Sequence, residues 1–413
     1  MFIKLQNGEK NLNPIFRDLV LGLVCALFFS AFIYLEHFGF TLKIINTLFG
    51  LSALTMLLYM PKRAILMAGF FIGLFWFYWI GYSFKYNGVG FLEPLITLIF
   101  AIVYMLFFGV LALTNSTLLR AGLLFVLSFV EPADFNWLQI ELLFVDSYLG
   151  IFKYQLFAIL LALALPSVIK QKKYKYAPLL LLLAAINWST PLTKEAPLKI
   201  KLVATDITQD QKWQKENLQA TVSMVFTEIH KAREEKYDIV VLPESVFPFY
   251  MNKAPLVLEE LKKLSHDISI VAGTLLSEGG VHYNVTYMFE NGNYEIAKKL
   301  VLVPFGEYIP LPGFAKKVVN EYFFAGASDF KTASSPTDFT IKGVKFRNAI
   351  CYEATCEELY EGDVDFMIAS SNNAWFSPSI EPTIQKLLMR YYARKNNVTI
   401  YHAANWKGSG VVK

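Results

Sequence analysis

The sequence predicts a two-part protein: a polytopic α-helical membrane domain of about seven spans over residues 1–196, followed by a layered α/β domain over residues 197–413. Three observations predict it. Only 17% of the 413 residues are charged and 55% are hydrophobic, whereas an ordinary soluble domain carries about 25% charged residues. The deficit sits in the first half, where long runs contain no Asp, Glu, Lys or Arg. After Leu198 short β-rich runs alternate with helical periods, the pattern of an α/β layered fold.

The charge-free runs are Leu19 to Leu35, Ile44 to Pro61, Ala64 to Phe84, Pro94 to Leu119, Tyr154 to Ile169 and Tyr176 to Thr193. Most reach the roughly 17–25 residues that a helix needs to cross the hydrocarbon core. Their repetition excludes buried helices of one water-soluble core. A seventh candidate, Thr117 to Val130, is short and interrupted by Arg120. The positive loops favour counting it. Lys4, Lys10 and Arg17 precede the first span, Lys62-Arg63 joins the second to the third, and Lys170, Lys172, Lys173 and Lys175 join the last two. Seven spans with a cytoplasmic N-terminus put all three clusters inside and Leu198 onward outside the cytoplasm. Six would strand the four-lysine loop on the wrong face. The run Phe75-Trp76-Phe77-Tyr78-Trp79 fits an interfacial anchor. No cleavable signal peptide is expected, because apolar segments continue and no small-residue cleavage site follows Ser30-Ala31.

A net charge of +4 gives no reason to expect nucleic acid as a partner. The three cysteines, Cys25, Cys351 and Cys356, support neither a disulfide framework nor a zinc site, so no metal and no cofactor is expected. Cys25, inside the first span, reads as an apolar residue facing lipid or a neighbouring helix, and Cys356 as a buried, idle thiol.

In the second half, strands are expected at Lys199–Ala204, Asp238–Leu242 and Ile268–Thr274, and helices at Gln214–Lys236 and Leu256–His266. Phe339-Thr340-Ile341, Lys342-Gly343, Val344-Lys345-Phe346 reads as a hairpin with a two-residue turn. Asp365–Ser370 and Val398–Ala404 read as strands around a helix at Thr383–Arg394. The junction at Thr190–Pro197 is short and carries two prolines.

The chemistry sits at strand ends. Asp238-Ile-Val-Val-Leu-Pro243-Glu244-Ser245 is an apolar strand that stops at proline and delivers a carboxylate. Lys298-Lys299-Leu-Val-Leu-Val-Pro304-Phe305-Gly306-Glu307-Tyr308 pairs a lysine with a later glutamate. Arg347-Asn-Ala-Ile350-Cys351-Tyr352-Glu353 places a thiol at the end of a hydrophobic strand. Each alone has an ordinary reading: a loop carboxylate, a solvated lysine pair, a small buried hydrophobe. Their order within one α/β domain is what makes the set specific.

Pro-Glu-Ser, Lys-x-x-x-x-Pro-Phe-Gly-Glu and Ile-Cys-Tyr-Glu in this order resemble the carbon–nitrogen hydrolase (nitrilase) superfamily. Fusion to a polytopic first half narrows the resemblance to the apolipoprotein N-acyltransferase family. Gln209-x-x-Lys212-Trp213, Tyr283-Asn284 and Ser371-Asn372-Asn373-Ala374-Trp375-Phe376 match further. The resemblance implies a nitrilase-type αββα sandwich for the second half. It implies Cys351 as nucleophile, Glu244 as general base and Lys299, eight positions before Glu307, as the oxyanion-side cation. It also implies support from Glu307, Tyr352 and Glu353, with Trp213 and Trp375 near the place where lipid enters. The residue types suit the chemistry. A thiol of pKa about 8.5 needs a base or a nearby cation to act as thiolate, and a tetrahedral oxyanion is stabilised by a preorganised ammonium. None of the five histidines falls in the three motifs.

The implied activity is transfer of an acyl chain from a phosphatidylethanolamine-like phospholipid, through a Cys351 thioester, to the α-amino group of a diacylglyceryl-cysteine lipoprotein. The implied location is the bacterial inner membrane, multi-pass, with the catalytic domain on the periplasmic side. Two rivals use the same residues differently: a membrane-tethered amidase or nitrilase on a small substrate, and a transporter or sensor with an inactive nitrilase-like domain. A many-span half is superfluous for the first, and nearly charge-free spans speak against the second. The sequence departs from the family at Asn373, where an Asp is usual, and at Ser377, where a Gly is usual. The family's closing strands and final membrane helix would lie beyond Lys413.

Overall fold

The computed structural model describes residues 13–132, 135–188, 194–303, 307 and 330–413. Lys4, Lys10 and the Pro304-Phe305-Gly306 part of the lysine motif lie outside the described residues. By its internal contacts the chain divides into two units: Met1–Tyr78 with Leu95–Pro132 and Asp146–Asn187, and Trp79–Pro94 with Ala133–Val145 and Trp188–Lys413. Trp79–Pro94 and Ala133–Val145, both well ahead of the expected boundary at residue 196, are therefore grouped with the second unit, whose last stretch begins at Trp188.

The first unit contains α1 (Pro14–His37), α2 (Lys43–Tyr59), α3 (Lys62–Phe77), α4 (Glu93–Gly109, grouped here from Leu95), α5 (Thr117–Leu127), α6 (Lys153–Ala164) and the short α7 (Leu182–Ala185). Among the described residues, three helical stretches are long and apolar enough to cross a membrane: Pro14–His37, Lys62–Tyr86 and Gly90–Leu113. Lys43–Tyr59, Thr117–Leu127 and Lys153–Ser167 are apolar but shorter. Small residues set the packing of α1, α3 and α4. A Cβ on Gly69 would lie 2.5 Å from the Tyr104 carbonyl oxygen, so the two backbones meet only because Gly69 has none.

Arg120, the residue that interrupts the seventh candidate span, is buried and hydrogen-bonded. Its guanidinium donates to the carbonyls of Leu58 (3.1 Å), Met60 (2.8 Å) and Thr114 (3.1 Å). Three of its donors are thus satisfied by backbone oxygens at helix ends. The aromatic run corrects an expectation. Trp76, Phe77 and Trp79 are buried rather than projecting as anchors. Trp76 donates to Ser30 Oγ at 3.1 Å and packs on Phe29 and Phe32 of α1, because a buried indole N–H needs an acceptor and finds one on the neighbouring helix. Cys25 faces the helix packing, its Sγ 3.6 Å from the Ala53 carbonyl oxygen.

The second unit holds two five-stranded sheets. One has the order β1 (Ile200–Leu202), β2 (Ile239–Val241), β3 (Ser269–Glu278), β4 (Val281–Glu290), β5 (Asn293–Lys298). The other, taken from its later edge, is β10 (Gly410–Val412), β9 (Thr399–Asn405), β8 (Phe366–Asn372), β7 (Val344–Ile350), β6 (Asp338–Ile341). β1–β2–β3 and β7–β8–β9 are parallel, and the remaining pairs are antiparallel. The period-2 alternation of strands sorts the core. Ile239, Val241 and Val271 turn toward Phe339, Phe346, Ile368 and Tyr401 of the other sheet. Val240, Leu242, Ile270 and Ala272 turn toward α9 (Lys215–Glu234) and α10 (Pro255–Leu264), which contribute Val225, Ile229, Leu261 and Leu264. The short α8 (Gln209–Lys212) leads into α9, and α11 (Glu381–Asn396) connects β8 to β9.

The expected strands and helices appear within a few residues of their expected bounds. The β6–β7 turn is the expected one, with Lys342 at φ 48° and Gly343 at φ 80°, the two positive values that a type I′ turn demands. The β4–β5 hairpin and β10 were not anticipated. The first uses a matching turn, Asn291 at φ 50° and Gly292 at φ 77°.

Candidate active site

The site forms where several strands stop. β2 is apolar and fully buried, and Pro243, which lacks an N–H, ends its ladder and leaves Glu244 at the tip. β3 must be glycine at the crossing point. A Cβ on Gly273 would lie 2.6 Å from Glu244 Cα and 2.7 Å from the Pro243 carbonyl oxygen. Lys299 follows β5 directly, with its backbone N–H donating to the Asn284 carbonyl at 2.9 Å. β7 delivers Cys351 at φ 57°, and a 3₁₀ turn runs from there to Thr355.

The structure brings Glu244, Lys299, Glu307 and Cys351 together. Lys299 is completely buried. Its Nζ stands 2.7 Å from Glu307 Oε2 and 3.6 Å from Glu244 Oε1. Asn284 on β4 spans the same two carboxylates, its Nδ2 donating at 2.8 Å to Glu244 Oε1 and at 3.1 Å to Glu307 Oε1. The second oxygen of Glu244 accepts the Asn372 backbone N–H at 2.9 Å, and its backbone carbonyl accepts Lys212 Nζ at 2.9 Å. Val303 N–H donates to Glu307 Oε2 at 2.9 Å. A cation between two anchored anions is the arrangement that makes burial of such groups tolerable.

Burial pulls the Lys299 ammonium down, but Glu307, Glu244, Cys351 and Glu353 together outweigh it and hold the lysine above its ordinary value. It stays charged. The Cys351 thiol is pushed well above its ordinary value, first by burial and then by Glu244, with Lys299 acting in the opposite direction. At neutral pH the resting sulfur is therefore a thiol, and a carboxylate beside it can take the proton. Gln385 on α11 reaches the sulfur, Nε2 to Sγ 3.8 Å.

Glu353 is buried, and its carboxylate accepts backbone N–H groups from Val301 at 3.0 Å, Ile350 at 2.6 Å and Leu300. It ties the chain after Lys299 to the strand that carries Cys351. Burial raises it to about 7 against the pull of Lys299 and those donors. Tyr352 is buried, with its hydroxyl donating to Asn136 Oδ1. Trp213 caps α8 and is half exposed, and Trp375 is partly buried with its ring edge-on to Tyr86, centroids 5.6 Å apart. Lys298 points elsewhere, pairing with Glu278 at 2.6 Å over the Tyr283 ring. Cys356 is buried, its Sγ 3.4 Å from the Tyr352 carbonyl oxygen.

Four residues of the site were assigned no role from sequence. Asn284 and Lys212 lie in matched motifs, so the motif itself was the signal; burial lowers the Lys212 ammonium to about 8, opposed by Glu244 and Cys351. Gln385 and Glu381 carry no sequence signal, because their place depends on how α11 packs. Glu381 is buried, and burial, then Glu244, raises its carboxyl well above the ordinary value. His402 is held at about 4 by burial; with Nδ1 donating to the Gly408 carbonyl (2.9 Å), Nε2 accepts from Ser371 Oγ (2.8 Å), so the ring is neutral and structural.

Comparison with known proteins places these features. The family model described as the apolipoprotein N-acyltransferase integral membrane domain matches residues 16–188, and the carbon-nitrogen hydrolase model matches residues 203–411. An apolipoprotein N-acyltransferase of Wolinella succinogenes is 42% identical over 398 residues, 96% of this chain and 96% of its own. One from Helicobacter pylori is 35% identical, covering 88% of this chain and 86% of its own. One from Campylobacter jejuni is 34% identical, covering 97% and 91%.

Two outcomes follow from the geometry. Gly273→Ala should displace the backbone of Glu244 and slow alkylation of Cys351 by iodoacetamide at neutral pH by roughly tenfold or more. Gly122→Ala, with open space around it, should leave that rate unchanged. Glu381, whose folded-state value lies above its unfolded value near 4.5, contributes stability that is present below that value and lost as pH rises. Glu381→Gln removes this dependence. In unfolding of the detergent-solubilised full chain, the variant's midpoint should gain on the parent's between pH 5 and pH 8.

Proposed function

The chain belongs to the apolipoprotein N-acyltransferase family, and on that premise we propose that it moves a fatty acyl chain from a membrane phospholipid to the α-amino group of a diacylglyceryl-cysteine lipoprotein. Cys351 is the nucleophile, Glu244 the base and Lys299 the oxyanion-side cation. The observation that carries this assignment is the buried Lys299 ammonium, held between Glu244 and Glu307 beside a thiol that is protonated at rest.

Glu244 takes the thiol proton as Sγ attacks the ester carbonyl of a phosphatidylethanolamine-like donor. A C–S bond forms, and the oxyanion sits against the Lys299 ammonium. The ester C–O bond then breaks, the glycerol oxygen takes the proton from Glu244, and lysophospholipid leaves. In the second half the lipoprotein amine attacks the thioester carbonyl, giving its proton to Glu244. The C–N bond forms, the C–S bond breaks, and the thiolate recovers the proton. Glu307 orients Lys299, Glu353 ties the two strand ends, and Tyr352 holds the nucleophile turn. Trp213 and Trp375 stand where the lipid chains enter.

In this reading residues 1–196 form the membrane domain, with about seven spans, and residues 197–413 the catalytic one. The protein is a multi-pass component of the bacterial inner membrane with its catalytic side in the periplasm, as the lysine-rich loops imply.

Single-turnover acylation of Cys351 against pH separates the roles. Glu244→Gln should acylate slowly and recover as pH rises, because hydroxide then supplies the thiolate. Lys299→Met should lose roughly 10²–10³ in rate, as for one oxyanion donor, with much weaker recovery. Lys298→Met should behave like the parent. An inactive Lys298 variant beside an active Lys299 variant would place the cation one residue earlier.

A further inference from the structure

The turn that follows Cys351 is held from a distant part of the chain. Asn136, Trp137 and the turn Cys351–Thr355 belong to the same unit. Cys351 itself adopts φ 57°, a left-handed conformation that is unfavourable for a non-glycine residue and persists only when its surroundings dictate it. Glu353 fixes one side of the turn through the N–H groups of Ile350, Leu300 and Val301. Residues 135–137 fix the other.

Asn136 is buried, and its amide is fully engaged. Oδ1 accepts the Tyr352 hydroxyl at 2.9 Å; Nδ2 donates to the Thr355 carbonyl and, at 3.4 Å, to the Tyr392 hydroxyl. The Thr355 carbonyl can only accept, so the orientation of the amide is unambiguous. Trp137 Nε1 donates to Thr355 Oγ1 at 2.9 Å, and that hydroxyl donates at 2.7 Å to the Tyr352 carbonyl. The Tyr352 ring lies nearly parallel to Phe135 and Trp137, with centroids 6.1 and 6.2 Å away. One side chain therefore grips the turn at both ends, at the residue after the nucleophile and at the last residue of the turn.

We infer that Asn136 is a positioning residue for the reaction: by fixing the Tyr352 hydroxyl and the Thr355 carbonyl it sets the direction of the Cys351 thiol relative to Glu244 and Lys299. A leucine at this position fills similar space but can bond neither group. The turn then loses one of its two clamps, and the sulfur leaves its line of attack. Such misplacement costs rate at saturating substrate rather than affinity. The inference rests on the reading of Cys351 as the nucleophile.

The test uses the full chain in detergent or proteoliposomes and three variants: Asn136→Leu, Tyr352→Phe and the double variant. Two quantities are measured on the Cys351 peptide by mass spectrometry. One is single-turnover acylation at varied phospholipid concentration. The other is alkylation by iodoacetamide against pH, which needs no lipid. The expected result for Asn136→Leu is acylation slowed on the order of 10–100-fold at saturation, with the half-saturating concentration unchanged and the alkylation profile shifted. Tyr352→Phe should show a similar loss, and the double variant should be no slower than the slower single one. Parent-like acylation and alkylation by folded Asn136→Leu, whatever its thermal stability, would overturn the inference. So would additive losses in the double variant. If Asn136→Leu does not fold, Tyr352→Phe tests the same link from its other end, and parent-like behaviour there overturns it. If the parent takes no acyl chain, the donor reading fails and the alkylation comparison alone decides the role of Asn136.

Discussion

Burying the Lys299 ammonium is the constraint on which the second unit's architecture turns. A lone buried ammonium would shed its proton rather than stay charged in a low-dielectric interior. Glu307 at 2.7 Å and Glu244 at 3.6 Å prevent that. Those carboxylates in turn need donors, and Asn284 and the backbone N–H groups of Asn372 and Val303 supply them. The result is a network in which removal of any one member leaves another with an unmet charge or hydrogen bond. Such networks are rigid because partial satisfaction is costly.

Rigidity of this kind places demands on the backbone. Gly273 lets the chain bearing Glu244 cross β3 at a distance no side chain permits. Glu353 uses one carboxylate to fasten the end of β7 to the residues after Lys299. The buried thiol completes the arrangement: burial and Glu244 hold it well above its ordinary value, with Lys299 acting in the opposite direction.

The sequence made the strand ends legible because each is an apolar run that stops abruptly at a polar residue. Glu244 after Pro243, Lys299 after β5 and Cys351 after Ile350 all follow that rule. The choice of Lys299 over Lys298 came from the family spacing to Glu307, and the geometry gives the physical reason: successive residues leave a strand on opposite sides, so Lys298 meets Glu278 and solvent while Lys299 turns inward. Gln385 and Asn136 were not legible, since an uncharged polar residue reveals its role only when its partners are known, and theirs lie 12 to 256 residues away. The aromatic run at Phe75–Trp79 misled for a related reason. Composition places tryptophans at an interface, but Trp76 is withdrawn into the packing by its bond to Ser30. The grouping of Trp79–Pro94 and Ala133–Val145 with the second unit was equally hidden, because both stretches are short and flanked by membrane-like runs.

In the proposed reaction Cys351 carries the acyl chain between donor and acceptor. Mass spectrometry of the purified full chain after incubation with a phosphatidylethanolamine of defined acyl chains tests it most directly. The expected result is a mass increase of one acyl group on the peptide containing Cys351, absent in Cys351→Ala, retained in Cys356→Ala, and discharged by a diacylglyceryl-cysteine peptide with a free amine. An acyl group that appears in Cys351→Ala, or a Cys351 that stays unmodified while the acceptor peptide gains its third chain, would contradict it.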